Sequence, residues 1–403
     1  IDLAENRAKF GDILQKLSIR CPKYGTGVTI KDVVSVAENI GYPVLARPSY
    51  VLGGRAMEIV YSEKQLIDYL SRSAEVTDGH PIFIDQFLED AFEFDVDAVS
   101  DGKTVYIGAV MQHIEEAGIH SGDSACVLPP YKITSSALEQ INIITKQLAL
   151  KLGVIGLINI QFAYKDGEVY TLEVNPRASR TIPFVSKATN IPLARIAAQI
   201  SVGATLDQFE LQPWGDNRHV AVKEAVLPFN KFPNESIFLS PEMKSTGEVM
   251  GISNNLGEAF RKACIGAGNT LPKSGKVFIS VNDTDKLDII SIARDFVELG
   301  FKLIGTENTA NVLNKNGLST QYVFKVGEGR PSIVDEIKNK KISLVINTPM
   351  GSRSRYDEEA IGRACIRYGI LAVTTLSGAN AVLRAIRYTT LSTKVKSLQE
   401  YHS

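Results

Sequence analysis

The chain has 403 residues, enough for two or three domains at roughly 150 residues each. Hydrophobic residues make up 44% and charged residues 22%, a globular balance that excludes a disordered, collagen-like or coiled-coil chain, and no apolar run approaches the ~18 residues that span a bilayer. The net charge of −1 is uneven: residues 273–403 carry 19 Lys+Arg against 13 Asp+Glu, and the remainder 25 against 32.

In chain order, residues 31–40 read as an amphipathic helix stopped by Gly41-Tyr42-Pro43. A strand at 44–47 leads into a loop with Gly53-Gly54, and a second strand runs over 57–61. A capped helix is expected over 62–71, strands over 81–87, 92–100 and 104–111, and a long helix over 135–152. Strands at 155–164 and 168–174 flank a turn at Lys165-Asp166-Gly167. This is α+β texture. Residues 205–271, rich in Pro, Phe and Gly, read as an extension of the first domain, 1–271. From 273 to 403, strands at 277–281, 301–304, 321–326, 342–347 and 370–374 alternate with helices near 285–299, 308–316, 331–339 and 357–368. Five β-α units imply an α/β, doubly wound parallel sheet with ligands at the strand carboxyl ends.

Cys21, Cys126, Cys264 and Cys365 form no CxxC pair and fit neither a zinc site nor a disulfide scaffold, so a reducing cytoplasm is expected. The opening residues Ile1 to Glu5 lack a signal-peptide pattern and an initiator Met, so a piece of a longer chain is expected. The basic excess after 273 suggests an anionic ligand or a solvated mixed surface; no dense basic tract points to nucleic acid.

The most informative stretch is Thr171-Leu172-Glu173-Val174-Asn175-Pro176-Arg177. Period two puts Thr171, Glu173 and Asn175 on one face and Leu172 and Val174 in the core. A three-residue hairpin loop would pair Gln161 with Thr171 and Asn159 with Glu173, so that Gln161, Glu173 and Asn175 share a face. One carboxylate with amide oxygens suits Mg²⁺ bound to phosphate, and Arg177 and Arg180 follow as phosphate donors. The same residues also read as a polar sheet face with surface arginines. Arg47 and Arg55 flank a glycine-containing loop that is neither a P-loop nor GxGxxG. His113 to Ser124 contains Ser, His and Asp, but adjacent residues on one loop without a nucleophile elbow do not build a triad, so a polar loop over a ligand is expected. Glu93, Asp95 and Asp97 share what reads as a solvated strand face. Thr306 and Thr309 open a helix, either as part of an anion site or as plain caps, and Lys286, Lys325 and Asn347 lie near strand ends.

Taken together, these residues resemble the C-terminal half of the carbamoyl phosphate synthetase large-subunit family. The stretches Arg47 to Tyr61, His113 to Cys126, Leu172 to Pro192 and Lys223 to Pro233 carry the resemblance, which covers essentially the whole chain. It implies an ATP-grasp unit over 1–271 and a methylglyoxal-synthase-like, Rossmann-like regulatory domain over 273–403. The implied reaction is phosphorylation of carbamate by ATP, with Mg²⁺ or Mn²⁺ as cofactor and a bound K⁺.

By resemblance, Arg7, Arg47, Gly53 and Gly54 meet the nucleotide phosphates, Gln86 and Leu88 line the adenine pocket, and Glu93 meets the ribose. Gly118, Ile119, His120 and Ser121 complete the cleft. Gln161, Glu173 and Asn175 hold the divalent metals, while Arg177 and Arg180 face the transferred phosphoryl. Glu93, His113, Glu115 and Ser124 resemble positions around K⁺. The implied partners are the large subunit's own N-terminal half and a glutamine amidotransferase small subunit. A nucleotide effector, UMP or IMP, is implied at Lys286, Thr306, Thr309, Lys325 and Asn347, although Pro349 stands where a hydroxyl residue often contributes. Ala372 replaces an aromatic residue of the family's ornithine site, so ornithine control is not expected. Other readings are another ATP-grasp ligase such as a biotin-dependent carboxylase, whose Lys-containing glycine-rich loop is absent here, a non-catalytic nucleotide-sensing fragment, and a methylglyoxal synthase activity after 273.

Overall fold

Alternating and helical apolar periods produce two kinds of sheet in this chain. The computed structural model describes residues 1–48, 54, 56–77, 81–212, 219–229, 231–232, 237–348, 355–389 and 395–402. Two compact units result: 1–218 with 240–243 and 396–403, and 219–239 with 244–395. By this division, residues 219–239 and 244–271, read from composition as an extension of the first domain, lie with the second unit. Among the described residues, no helix is long and apolar enough to cross a membrane.

In the first unit, one antiparallel sheet has the order Tyr24–Gly27, Ile82–Gln86, Val44–Pro48, Glu58–Val60. The helix Ile30–Ile40 starts at a reciprocal capping box between Thr29 and Asp32. Its apolar stripe, Val33 and Ala37, packs with Val44, Ala46, Leu66 and Ile84 in one core. A second group of antiparallel strands runs Cys126–Leu128, Val105–Glu116, Phe92–Asp101, Ile155–Lys165, Glu168–Asn175. The helix Ser135–Lys151, capped by Thr134, brings Ile141, Ile144 and Leu148 into a core with Phe94, Val96, Ile158, Ile160 and Phe162. Phe92–Asp101 is thus central, with a neighbour on each side.

The second unit holds the hairpin Val220–Val226 with Gly247–Ser253, the helix Leu256–Gly266, and a parallel sheet. The parallel order is Thr320–Tyr322, Lys302–Gly305, Lys276–Ser280, Leu344–Asn347, Leu371–Val373, as a doubly wound domain requires. The strand expected over 321–326 is shorter, because beyond Tyr322 only Phe324 bridges, to Ser332.

Candidate active site

The strand pair Ile155–Lys165 and Glu168–Asn175 turns through two residues rather than three. Asp166 and Gly167 have φ of +52° and +82°, the signature of a two-residue hairpin turn whose twist matches its strands. Lys165 therefore opposes Glu168, and Phe162 opposes Thr171. A register shift then skips Leu172, so Gln161 opposes Glu173 and Asn159 opposes Asn175. Two parts of the sequence reading are corrected: the register, and the face of Thr171, which is fully buried while Leu172 faces the cavity described next. The extra residue at the bulge exchanges the two sides of the strand. Gln161, Glu173 and Asn175 nevertheless reach one site.

That site is a cavity of about 240 Å³ in the first unit. Glu173 Oε1 accepts a hydrogen bond from Asn175 Nδ2 at 2.9 Å, and Asn175 Oδ1 accepts one from Arg177 Nη2 at 3.0 Å. Gln161 Nε2 donates to Ser121 Oγ at 2.9 Å. The donor set is one carboxylate with amide oxygens, hard ligands that fit Mg²⁺ or Mn²⁺.

Elsewhere on the wall, Asp85 holds two arginines. Arg7 reaches Asp85 Oδ1 at 2.8 Å, and Arg47 Nε reaches Oδ2 at 3.0 Å. Arg7 also lies over the Tyr24 ring, 4.6 Å from its centroid. Two guanidiniums on one carboxylate leave this part of the wall with one net positive charge, suited to polyanionic phosphate. Asp85 is absent from the sequence reading; the only signal for it is that two arginines converging on one site need a counter-charge.

Of the residues singled out from sequence, Arg7, Arg47, Gly54, Gln86, Leu88, Glu93, Gly118, Ile119, His120, Ser121, Gln161, Glu173, Asn175 and Arg177 all line this cavity. Gly53 lies outside the described residues. Arg180 is exposed and not among the lining residues, with Nη1 on Met243 Sδ beside Gly122. Gly54 has φ of +67°, and a Cβ there would sit 1.8 Å from the Pro241 carbonyl oxygen, so only glycine fits. Leu88, Ala91, Ala163, Ala117 and Leu172 form a small apolar cluster, and all but Ala91 line the cavity as an apolar slot.

Glu93, Asp95 and Asp97 do not form a solvated face. Asp95 and Asp97 are fully buried, because Asn159, His113 and the Ser179–Thr181 segment pack on the face they share. His113, also buried, reaches Asp95 Oδ2 through Nε2 at 2.8 Å and Glu93 Oε2 through Nδ1 at 3.2 Å. Burial opposes its charge, but the Cys126 sulfur and the two carboxylates outweigh this and hold His113 well above the usual imidazole range. Both ring nitrogens are committed, so this position could serve an ion only through its backbone. Asp95, His113 and Cys126 lie close enough to share a metal, yet the same commitment of Nε2 to Asp95 explains the grouping without one. Glu115 accepts from Ala125 N–H at 2.7 Å, and desolvation raises its carboxyl to about 7. Among the described residues, the buried Ser124 Oγ has no hydrogen-bond partner.

In the second unit, the carboxyl ends of adjacent strands gather polar groups. Ser280 opposes Asn347 across the point where strand order reverses, and Ser280 Oγ lies 3.2 Å from Thr306 Oγ1. Thr306 precedes the helix Glu307–Lys315 but makes no side-chain cap bond, and Thr309 Oγ1 accepts from Val281 N–H at 3.4 Å, so neither acts as a plain cap. Thr306, Thr309 and Asn347 are buried, and Asn347 Nδ2 has no hydrogen-bond partner among the described residues. Lys286 pairs with Asp283, and Lys325 is exposed.

Residues 6–209 match a family model described as carbamoyl-phosphate synthase L chain, ATP binding domain, and residues 288–374 match one described as MGS-like domain. The carbamoyl phosphate synthase large chains of Archaeoglobus fulgidus and a Nostoc species are each 52% identical over all of this chain, which spans 38% and 37% of their lengths. The biotin carboxylase domain of Hydrogenobacter thermophilus 2-oxoglutarate carboxylase shares 14% identity over 66% of each chain at a TM-score of 0.55. N5-carboxyaminoimidazole ribonucleotide synthetase of Thermus thermophilus shares 14% over 66% of this chain and 71% of that chain, at 0.50. At such identity the likeness shows a common fold.

Proposed function

Because this chain belongs to the carbamoyl-phosphate synthase large-chain family, we propose that its first unit phosphorylates carbamate with ATP, giving carbamoyl phosphate and ADP. One observation carries the proposal: a single cavity joins the Glu173 face to the Arg7–Asp85–Arg47 set, although these groups are far apart in the chain. In this reading the slot of Leu88 and Leu172 takes the adenine beside Gln86, and Glu93 takes the ribose. Arg7, Arg47, Gly54 and the 118–121 loop hold the phosphates. Gln161, Glu173 and Asn175 would hold Mg²⁺ or Mn²⁺, which when bound supplies charge neutralisation at phosphate oxygens. Glu93, Glu115 and Ser124 would surround K⁺.

A carbamate oxygen attacks the γ-phosphorus in line, the bond to the β–γ bridging oxygen breaks, and ADP leaves. Carbamate is already anionic, so no general base is required. Arg177 and Arg180 stabilise charge on the transferring phosphoryl, Arg180 after leaving Met243. Carbamate decomposes in water, so an internal route from the N-terminal half of the same large chain supplies it, with ammonia coming from a glutamine amidotransferase subunit in the cytoplasm. The second unit binds a nucleotide effector, UMP or IMP, through Thr306, Thr309 and Asn347, with Lys286 and Lys325 reaching its phosphate. The test is ATP formation from ADP and carbamoyl phosphate by the full-length large chain. Robust formation is expected; a chain that folds and forms no ATP overturns the proposal.

A further inference from the structure

Asp97 lies on the central strand, fully buried, and does not line the cavity. Its Oδ1 accepts hydrogen bonds from Ser179 Oγ at 2.7 Å and Asn159 Nδ2 at 3.0 Å, and its Oδ2 accepts one from Thr181 Oγ1 at 2.5 Å. Ser179 and Thr181 belong to the short segment that carries Arg177 and Arg180. Thr181 is the N-cap residue of the helix Ile182–Thr189 but makes no side-chain cap bond. A threonine at that position ordinarily bonds the first turn, at a gain of ~1 kcal/mol; here the hydroxyl is committed to Asp97 instead.

The third partner closes a ring. Asn159 Oδ1 accepts from Asn175 Nδ2 at 3.5 Å, and Asn175 Oδ1 accepts from Arg177 Nη2 at 3.0 Å. A continuous path therefore runs from Asp97 through Asn159 and Asn175 to Arg177, then along the chain to Ser179 and back. We propose that Asp97 is a positioning residue that fixes the 177–181 segment, so that Arg177 and Arg180 are held in register with the Glu173 face of the cavity. Burying this carboxylate is costly, since desolvation raises it to about 6, and the three bonds offset that cost. A purely apolar anchor would hold the helix start without the cost, but could not draw in two hydroxyls and an amide at once.

The inference rests on the function proposed above, so its test has one readout independent of activity. Hydrogen exchange of the 177–181 amides is compared in the full-length chain for wild type, Asp97→Ala and Asp97→Asn. Asparagine keeps an oxygen for Ser179 and Asn159 and presents an N–H to Thr181, so it should preserve the segment. Exchange should rise about tenfold in Asp97→Ala and stay near wild type in Asp97→Asn. In parallel, kcat for ATP formation should fall at least about tenfold in Asp97→Ala while KM for ADP stays within about threefold. If Asp97→Ala does not fold, Ser179→Ala with Thr181→Val removes the two hydroxyl bonds from the other side, leaving only the Asn159 bond, and should give the same pattern in the 177–181 amides. Unchanged exchange in whichever variant folds, or a raised KM with kcat intact, overturns the inference. If even wild type forms no ATP, the proposed function fails, while exchange still decides whether Asp97 holds the segment.

Discussion

The two units build polar sites by opposite means. In the first, charged groups from distant parts of the chain are driven together: Arg7 meets Asp85 across 78 positions, and Thr181 meets Asp97 across 84. In the second, neutral donors and acceptors at successive strand ends fall side by side, with Ser280, Thr306 and Asn347 as neighbours. Fixed, partly buried charge suits chemistry in which negative charge moves. Neutral hydroxyls and amides suit reversible binding, because they lose little when nothing is bound. On the proposed functions, the cost of each site when empty is what would separate a reaction centre from a sensor.

The largest effect expected is on Glu173, the one carboxylate among the proposed metal oxygens. Glu173→Gln should cut ATP formation from ADP and carbamoyl phosphate by about 10³-fold or more; unchanged turnover would make the face merely polar. Next, Arg180→Ala should lower kcat by about 10²–10³ with little change in ATP affinity, the loss of one transition-state contact. A raised KM with kcat intact would place Arg180 in ground-state binding.

A third effect concerns the cost of buried charge. Burial, helped by the nearby Asp95 charge, raises the folded Asp97 carboxyl to about 6 from the ordinary 3.8. The folded state then holds the proton more tightly, so the cost of ionisation is absent below about pH 4 and complete above about pH 6. Wild type should lose stability relative to Asp97→Asn across that window, by about 3 kcal/mol in all. Denaturant unfolding of both proteins at pH 4 and pH 7 measures this, and an equal gap at both would contradict it. The smallest effect lies in the second unit. Thr309→Ala and Asn347→Ala should each weaken UMP or IMP binding about tenfold, one buried hydrogen bond apiece. Calorimetry showing wild-type affinity in both would break the comparison on the sensor side.

The parallel domain was legible because strand and helix periods alternate without interruption, and its polar strand ends follow from topology. The cavity was half legible. Glu173, Asn175 and Gln161 were found through their residue types, but their pairing depended on a left-handed Asp166 and a bulge at Leu172, local choices that alternation does not encode. Asp95 and Asp97 were misread because an acidic strand face looks solvated until the distant 177–181 segment and His113 are known to pack on it. Asp85 and the Asp97 partners depend on long-range pairing alone.

The central claim is that Glu173 and its amide neighbours hold the divalent ion that joins ATP to the first unit. Calorimetric titration of the chain with ATP, with and without Mg²⁺, tests it most directly. One ATP site strengthened by Mg²⁺ is expected in wild type, with that strengthening absent in Glu173→Gln. No ATP binding, or the same Mg²⁺ enhancement in the variant, would contradict it.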